Sequence, residues 1–595
     1  ARRSIECNIQ ALGDEVRQVS RRINALVEYL LAFGVQSNFS FLRAASKPEE
    51  LVVAACLLGH AGMGLADRNT VAGVVRAWSQ SKHIQLPDET EPQTLQYHPG
   101  ARLVFADGTP DVLAYPQDRE GWGHLCRLLT QANMRPESPK GAPLPYRNDI
   151  FEWGDKISLA VRADCVTADE NEMAFVRDLK ERFGASVWLA VAPAFDGRDR
   201  LRLAQAQIIS KTFGVPLMAV NDVLYHAPDR RSLQDVLTAI RLNTPIHSVG
   251  LELTRNAERH LKAPLEMARL FRDCPSAISE TVRFAETLKF SLEDLKFNYP
   301  DEKTRDGATP QEELERLTWE GAAYRWPGGI KSEYRETIEK ELALVAKLKY
   351  AGYFLTVHDI VRHAREELEI LCQGRGSAAN SVICYCLRIT DIGPDRMEVL
   401  FERFMSEERG EPPDIDVDFE HEHRPKVLEY VYEKYSLKHT SLAAAVISYR
   451  SRSAMREVAK AMGLSDDTID ALASNTWRWT DANLGATEAK AAGLDMSEAL
   501  TRRLFESVNV TLDPDPAQAA ASSLPACRRL RHHKRPAGRD RADHEDGDGR
   551  PQDDRMGQGR SRYGRPVQGR YSGARHAHLP EALLWSARRT LSRRA

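Results

Sequence analysis

Two short segments carry residue types that do chemistry when they are brought together. In Pro412-Pro413-Asp414-Ile415-Asp416-Val417-Asp418-Phe419 acids alternate with apolar residues. A strand points residues two apart to the same side, roughly 6.6 Å per step. Asp414, Asp416 and Asp418 then share one face, and Ile415, Val417 and Phe419 take the other. Three carboxylates on one face repel, which disfavours folding unless cations compensate. The same letters fit a solvated edge strand blunted by acids and prolines. The apolar residues between them argue instead for a buried back face, and hard oxygen donors in this number suit Mg²⁺ or Mn²⁺. The segment predicts a divalent-metal site at Asp414, Asp416 and Asp418.

The second segment is Cys372-Gln373-Gly374-Arg375-Gly376-Ser377-Ala378-Ala379-Asn380-Ser381. Glycines at 374 and 376 let backbone approach a ligand, and a helix starting at Ser377 would aim free N–H groups at an anion. Arg375 adds a planar fork suited to phosphate oxygens. A tight turn capped by serine has the same letters. Between the two segments lie Arg403, in Phe401-Glu402-Arg403-Phe404, and Arg409. Cations on carboxylates, beside arginines and backbone donors, are what nucleotidyl transfer requires. Two metals would activate an attacking 3′-hydroxyl and neutralise the leaving pyrophosphate, while the arginines hold a triphosphate in line.

The elements that must position these residues follow from periodicity. A strong helix puts Ile338, Leu342, Val345 and Leu348 on one face; a second, 353–364, leads to the apolar run 370–372 and the glycine turn. Upstream, residues 1–34 read as an amphipathic helical extension. From 35 to about 243 helices such as 48–58 alternate with strand-like runs at 102–105, 187–192 and 215–220, the signature of an α/β barrel or wound sheet. Residues 251–341 are charged and mostly helical, with Tyr299-Pro300-Asp301 as a loop. Residues 446–510 are Ala-rich and helical, with Arg450, Arg452 and Arg456 along one stretch.

Composition bounds the rest. A chain of 595 residues, 42% apolar and 28% charged, is globular material for several domains. A net charge of −3 excludes a cationic coat for nucleic acid. Nine cysteines without a CxxC pair exclude a disulfide scaffold and a zinc ribbon, and fit a reducing cytoplasm. The apolar stretch 23–35 is broken by Glu28 and is too short to span a bilayer, and the first ten residues hold no secretory signal. The expectation is a cytoplasmic protein with no membrane partner. Residues 528–595 differ: 17 Arg and 1 Lys face 8 acids, a local net of +10, with no Ile, no Phe and one Val. Such a segment holds too little aliphatic volume for a packed domain.

The run from Tyr353 through CQGRGSAANS, LFERFMSEER, PPDIDVDFEHEHR and ISYRSRSAMREVAKAMGL resembles the bacterial replicative polymerase alpha-subunit (DnaE, C-family) proteins, closest to their error-prone, damage-tolerant branch. The resemblance covers about residues 35–510. It implies an α/β and α+β multidomain chain: an N-terminal extension at 1–34, and a polymerase-and-histidinol-phosphatase (PHP) type α/β barrel at 35–246. An incomplete nucleotidyltransferase-like palm would follow at 247–445 and a helical thumb at 446–510. By the same resemblance Gly376 and Ser377 form the triphosphate-binding turn, with Arg375, Arg403 and Arg409 as phosphate partners. Asp414 and Asp416 match two catalytic, metal-binding aspartates, and Asp418 is a third acid or alternate ligand. Arg450, Arg452 and Arg456 would meet the duplex backbone. The implied activity is DNA-directed DNA synthesis in damage-induced or translesion repair, with Mg²⁺ (or Mn²⁺) as cofactor. Its partners would be primer–template DNA and deoxynucleoside triphosphates, with a sliding clamp and SOS mutagenesis proteins in the intact family. In the barrel, Gln36 and Asn38 stand where His or Asp ligands are expected, leaving Asp67, Asp222 and His226. That domain is expected to be structural.

The family's third catalytic aspartate, in a Lys-Val-Asp strand after the thumb, does not appear in frame. Read one base out of register, with suitable codons, 527–534 gives Ala-Gly-Gly-Phe-Val-Ile-Thr, 556–561 gives Trp-Asp-Lys-Asp-Asp, and 567–576 gives Phe-Lys-Val-Asp-Ile-Leu-Ala-Leu-Gly. The last places the aspartate at Arg570. Three matches in family order point to a frameshift between about Val508 and Ser522, with 511–595 an out-of-frame, disordered tail. This leaves three expectations: a polymerase by family, a truncated chain with little or no synthesis, or a metal-dependent phosphoesterase working from the barrel.

Overall fold

The computed structural model describes residues 28–512, except 87–90, 140–141, 168, 296–301, 303, 306, 376–377, 379, 396–414, 437–439, 441–448 and 476–483. Gly376, Ser377, Arg403, Arg409 and Asp414 therefore lie outside the described residues, as do the 299–301 loop and everything from 513 onward. The chain divides into two compact units. One takes residues up to Asp294 and the described residues after Ala443, and the other spans Leu295–Ala443.

In the first unit, runs such as LAFGV and VWLAV have no polar face. Buried along their whole length, they form strands covered on both sides. Seven strands pair in sequence order: β1 (Leu31–Val35), β2 (Gly62–Arg68), β3 (Gln96–Leu103), β4 (Val112–Pro116), β5 (Ile157–Arg162), β6 (Val187–Val191) and β7 (Leu217–Ala219). All pairings are parallel except those of β4, which runs against both neighbours. The sheet curls until its edges meet. Just past β7, the Val223 N–H donates to Gly34 O (3.2 Å) and the Gln36 N–H donates to Val223 O (3.0 Å). One core cluster is aromatic: Phe284 meets Phe33, Tyr115 and Trp188 edge to face at 5.1, 5.7 and 5.0 Å between ring centroids. Helices α1 (Pro48–Leu57), α2 (Arg231–Leu242) and α3 (Ser276–Glu286) flank the sheet.

The second unit is helical around one small sheet. Helices α4 (Pro310–Arg325), α5 (Ser332–Leu348), α6 (Ala351–Arg362) and α7 (Val382–Cys386) share a core of Ile338, Leu342, Val345, Phe354, Val382 and Ile383. Against it lie β8 (Cys372–Arg375) and β9 (Asp416–Phe419), an antiparallel pair, followed by α8 (Arg424–Tyr435). Gly321 on α4 lets that helix approach α7: a Cβ there would stand 2.0 Å from the Cys386 carbonyl oxygen.

Several expectations are corrected. Residues 31–34 are strand, not the end of a helical extension, because β1 is buried between β2 and the segment after β7 and has no solvent face for an amphipathic helix. The strand expected at 102–105 is β3. It starts at Gln96 and passes through Pro99-Gly100, where Gly100 lies under the Tyr115 ring and leaves no room for a Cβ. Helix α7 begins at Val382, capped by the Ser381 hydroxyl, which accepts from the Cys384 N–H; the helix start expected at Ser377 lies outside the described residues. Residues 247–294 pack with the first unit rather than with 295–443, since α3 lies on β7 and inserts Phe284 into the aromatic cluster. The helices after residue 446 also pack with the first unit. α9 (Ser451–Ala461), α10 (Asp466–Asn475) and α11 (Ala499–Leu512) share a core with Val236 and Ala239 of α2.

Candidate active site

The two chemistry-bearing segments are hydrogen-bonded neighbours. β8 pairs with β9 in the register Gln373↔Asp418, Gly374↔Val417 and Arg375↔Asp416. Alternation along β9 exposes Asp416 and Asp418 on one face. On the other, Ile415 and Val417 pack on the main core and Phe419 on a smaller cluster of Ala364, Ile370 and Val427. The face-sharing read from the sequence is therefore present for Asp416 and Asp418. The Arg375 Nε donates to Asp418 Oδ2 at 2.6 Å, with both side chains more than half exposed. An ion pair so open to water stabilises by about 1 kcal/mol at most.

The supports are local. The Ile415 N–H, at the entry to β9, donates to the Tyr353 hydroxyl of α6 (3.1 Å). Gly374 is a glycine for a reason other than ligand approach. Its N–H donates to Ile389 O (2.7 Å), and a Cβ would stand 2.6 Å from that same oxygen. This corrects the reading of Gly374 as ligand-facing: the close approach is to the chain's own backbone. Glu341 was not singled out in the sequence. It is fully buried, accepts from Ser381 Oγ (2.9 Å) and from the N–H groups of Val382 and Ile383 (3.0 Å each), and so holds the start of α7. Burial pushes its carboxyl up to about 7 against the pull of those donors. The available signal was an acid within one turn of Ile338, Leu342 and Val345 on an apolar helical face.

Arg450 stands at the N-cap of α9, Arg452 and Arg456 are exposed on it, and Arg456 pairs with Asp470 of α10 at 3.0 Å. These arginines belong to the first unit, not to the unit of β8 and β9.

At the mouth of the curled sheet the residues do not fit a divalent cation. Asp222 is buried against three guanidiniums: Arg162 Nη1 at 2.6 Å, Arg259 Nη2 at 2.6 Å and Arg102 Nη1 at 3.1 Å. They outweigh burial and hold its carboxyl far below the usual range. Asp67 is buried and accepts from Ser37 N–H, Ser37 Oγ and Ser40 Oγ at 2.7 Å each. Burial pushes it up to about 6. His226 Nδ1 sits 2.8 Å from Ser46 Oγ. Gln36 and Asn38 are buried neutral amides. Arginines occupy Asp222 and serine donors occupy Asp67, the acids a metal would need, and among the described residues no group of three His, Cys, Asp or Glu is placed to hold one. The sequence signal for this was Arg162, the one charge in a buried, mostly apolar strand, which must find partners.

Comparison with known proteins identifies the class. Residues 312–513, which contain β8, β9 and α9, match the family described as the bacterial DNA polymerase III alpha NTPase domain. The chain is 61% identical over 477 residues to an error-prone DNA polymerase of Mesorhizobium japonicum, an alignment covering 80% of this chain and 42% of that protein. It is 50% identical over 481 residues to one from Sinorhizobium medicae, covering 81% and 42%. Over about 80% of its length the chain is similar to DnaE-type polymerases of the error-prone branch. It spans about 42% of the length of these relatives. A solved Bifidobacterium adolescentis chain whose name refers to a metal-dependent phosphoesterase covers 32% of this chain and is itself covered to 86%. Its TM-score of 0.24 at 15% identity is too slight to carry an argument.

Proposed function

We propose that the protein containing this chain is a DNA-directed DNA polymerase of the error-prone type, extending a primer 3′ end in damage-induced or translesion synthesis. The observation that carries the reading is the β8–β9 pairing, which sets Arg375 beside Asp416 and Asp418 within the family-matched segment. Asp414 and Asp416, with Asp418 as a third acid, are the proposed holders of Mg²⁺ or Mn²⁺. Asp416 and Asp418 fit such an ion as exposed hard-oxygen donors on one strand face. When bound, the ion supplies neutralisation of the developing charge on the attacking and leaving oxygens.

The chain's own residues supply the positioning. Arg375, Gly376, Ser377, Arg403 and Arg409 are the proposed triphosphate partners. Because the Arg375–Asp418 pair is exposed, its guanidinium can exchange a carboxylate for a phosphate oxygen at small cost. Arg450, Arg452 and Arg456 are the proposed contacts to the duplex backbone. The curled sheet is read as a PHP-type domain with a structural role, 295–443 as palm and the helices from 446 as thumb. The proposed partners are primer–template DNA and deoxynucleoside triphosphates, in the cytoplasm. No described helix is long and apolar enough to cross a membrane. A phosphoesterase working from the first unit is disfavoured by the arginines around Asp222.

Primer extension by the protein, with and without Asp416→Asn, tests the reading. The substitution is expected to lower the rate about a hundredfold or more, the loss typical of removing one anchor of developing charge. Mn²⁺ titration followed by electron paramagnetic resonance should lose a site in parallel. Unchanged synthesis and unchanged Mn²⁺ binding would overturn it.

A further inference from the structure

The rim of the curled sheet holds three arginines that the fold leaves uncompensated. Arg68 ends β2 and stands in register with Arg102 of β3, both at the carboxyl ends of parallel strands, where α/β sheets characteristically bind ligands. Arg43 lies in the loop after β1. That loop is fixed on both sides: the Ala45 N–H donates to Leu224 O (2.9 Å), and the Gln234 Nε2 of α2 donates to Arg43 O (2.9 Å). Arg241 lies two turns beyond Gln234 on α2, hence on the same helical face.

All three side chains are half-buried, and among the described residues none of their guanidiniums has a hydrogen bond or an ion pair. The Nε of Arg241 is buried with no acceptor among the described residues. Arg102, beside them, is already committed to Asp111 (2.6 Å) and Asp222 (3.1 Å). Burial, and then the charges of Arg68, Arg241 and Arg102, bring the Arg43 guanidinium down to about 10. Arg68 is lowered by burial and by Arg102 and Arg241, with Asp111 opposing; Arg241 is lowered by burial, with Glu252 opposing. Neither acid stands within ion-pairing distance of these three. Gathering and half-burying like charges without a directly paired counter-charge destabilises a fold, and an oxyanion with several acceptors relieves it.

We propose that Arg43, Arg68 and Arg241 form a binding site for a phosphate group at the rim of the curled sheet, distinct from the β8–β9 site. The arginine cluster adjoins Asp67 and Asp222, where metal ligands were expected, and exchanges cation chemistry for anion binding. It does not depend on the polymerase reading. The phosphate group comes either from a free anion such as pyrophosphate or from a nucleic-acid backbone, and the two sources are separable.

The test uses the 595-residue chain in phosphate-free buffer at matched ionic strength. Pyrophosphate titration by calorimetry and by thermal unfolding is expected to give saturable binding and a rise in Tm that chloride does not give. Arg43→Gln and Arg241→Gln should each weaken binding tenfold or more, yet raise the Tm without anion because a repelling charge is gone. Arg177→Gln, an exposed control elsewhere on the same unit, should bind as wild type does. Arg43→Lys, which keeps charge and fold but loses the planar fork, should weaken binding several-fold. Displacement of pyrophosphate by an oligonucleotide, dependent on Arg43, assigns the source to the backbone; failure to displace assigns it to the free anion. Wild-type affinity in the glutamine variants, wild-type affinity in Arg43→Lys should those not fold, or a Tm rise no larger than chloride gives, would each overturn the site.

Discussion

At the scale of single residues, burial and charge pull carboxylates in opposite directions, as Glu341 and Asp222 show. Glu341 has its carboxyl raised from 4.5 to about 7. Between those values the folded chain retains a proton that the unfolded chain releases, so stability falls as pH rises through that window. Glu341→Gln keeps one acceptor for the start of α7 and removes the titration. Urea unfolding at pH 5 and pH 7 should show a smaller loss of stability in the variant than in wild type; equal losses would contradict the assignment. Asp222 behaves in the reverse sense. Its folded carboxyl is held below its usual 3.8 by three guanidiniums, so its contribution is present above that value and is lost in acid. Asp222→Asn leaves Arg162, fully buried, short of a counter-charge. It is expected to destabilise the first unit by about 3–5 kcal/mol at neutral pH, measured by denaturant unfolding.

At the scale of elements, the placement of β8 depends on a glycine that reads like a ligand-binding residue. Alanine at 374 would press its Cβ on the Ile389 carbonyl, and overpacking against backbone costs about 1–3 kcal/mol. Gly374→Ala is therefore expected to lower the Tm and, by displacing β8, to weaken Mn²⁺ binding. Gly328→Ala, which meets nothing within 4 Å, should do neither. Helix periodicity anticipated α5 and α6 well, because each buries a stripe at helical spacing. It failed at β1, whose continuous apolar run suits a strand buried on both faces as well as one turn of a buried helix. It did not give the start of α7, which Ser381 caps from the adjacent position and which Glu341, forty residues away, also holds.

At the scale of the molecule, the helices after residue 446 share a core with α2 through Val236, Ala239, Met455, Val458 and Leu504. Leu504→Ala should cost about 2–5 kcal/mol and speed hydrogen exchange in α2 as well as in α9. Protection of α2 that stays at the wild-type level would mean the two do not unfold together. The family match stops at residue 513, inside the 508–522 window where the sequence reading places a change of frame. Nucleotide sequencing checks this: a shifted open frame encoding the three palm-like segments is expected, and its absence refutes the reading.

The sequence by itself determined the alternation that puts Asp416 and Asp418 on one face, because a strand's period of two is a local property, and its motifs carried the resemblance to DnaE-type polymerases. It also showed neutral amides at Gln36 and Asn38 of the first unit. It could not show what surrounds Asp222. Arg102, Arg162 and Arg259 reach Asp222 from segments 37 to 120 residues away, and only the curl of the sheet brings them together. Likewise β8 meets β9 across more than forty residues of chain, so the pairing of Arg375 with Asp418 was decided by tertiary packing: long-range register is fixed by the core beneath a strand, not by the letters along it.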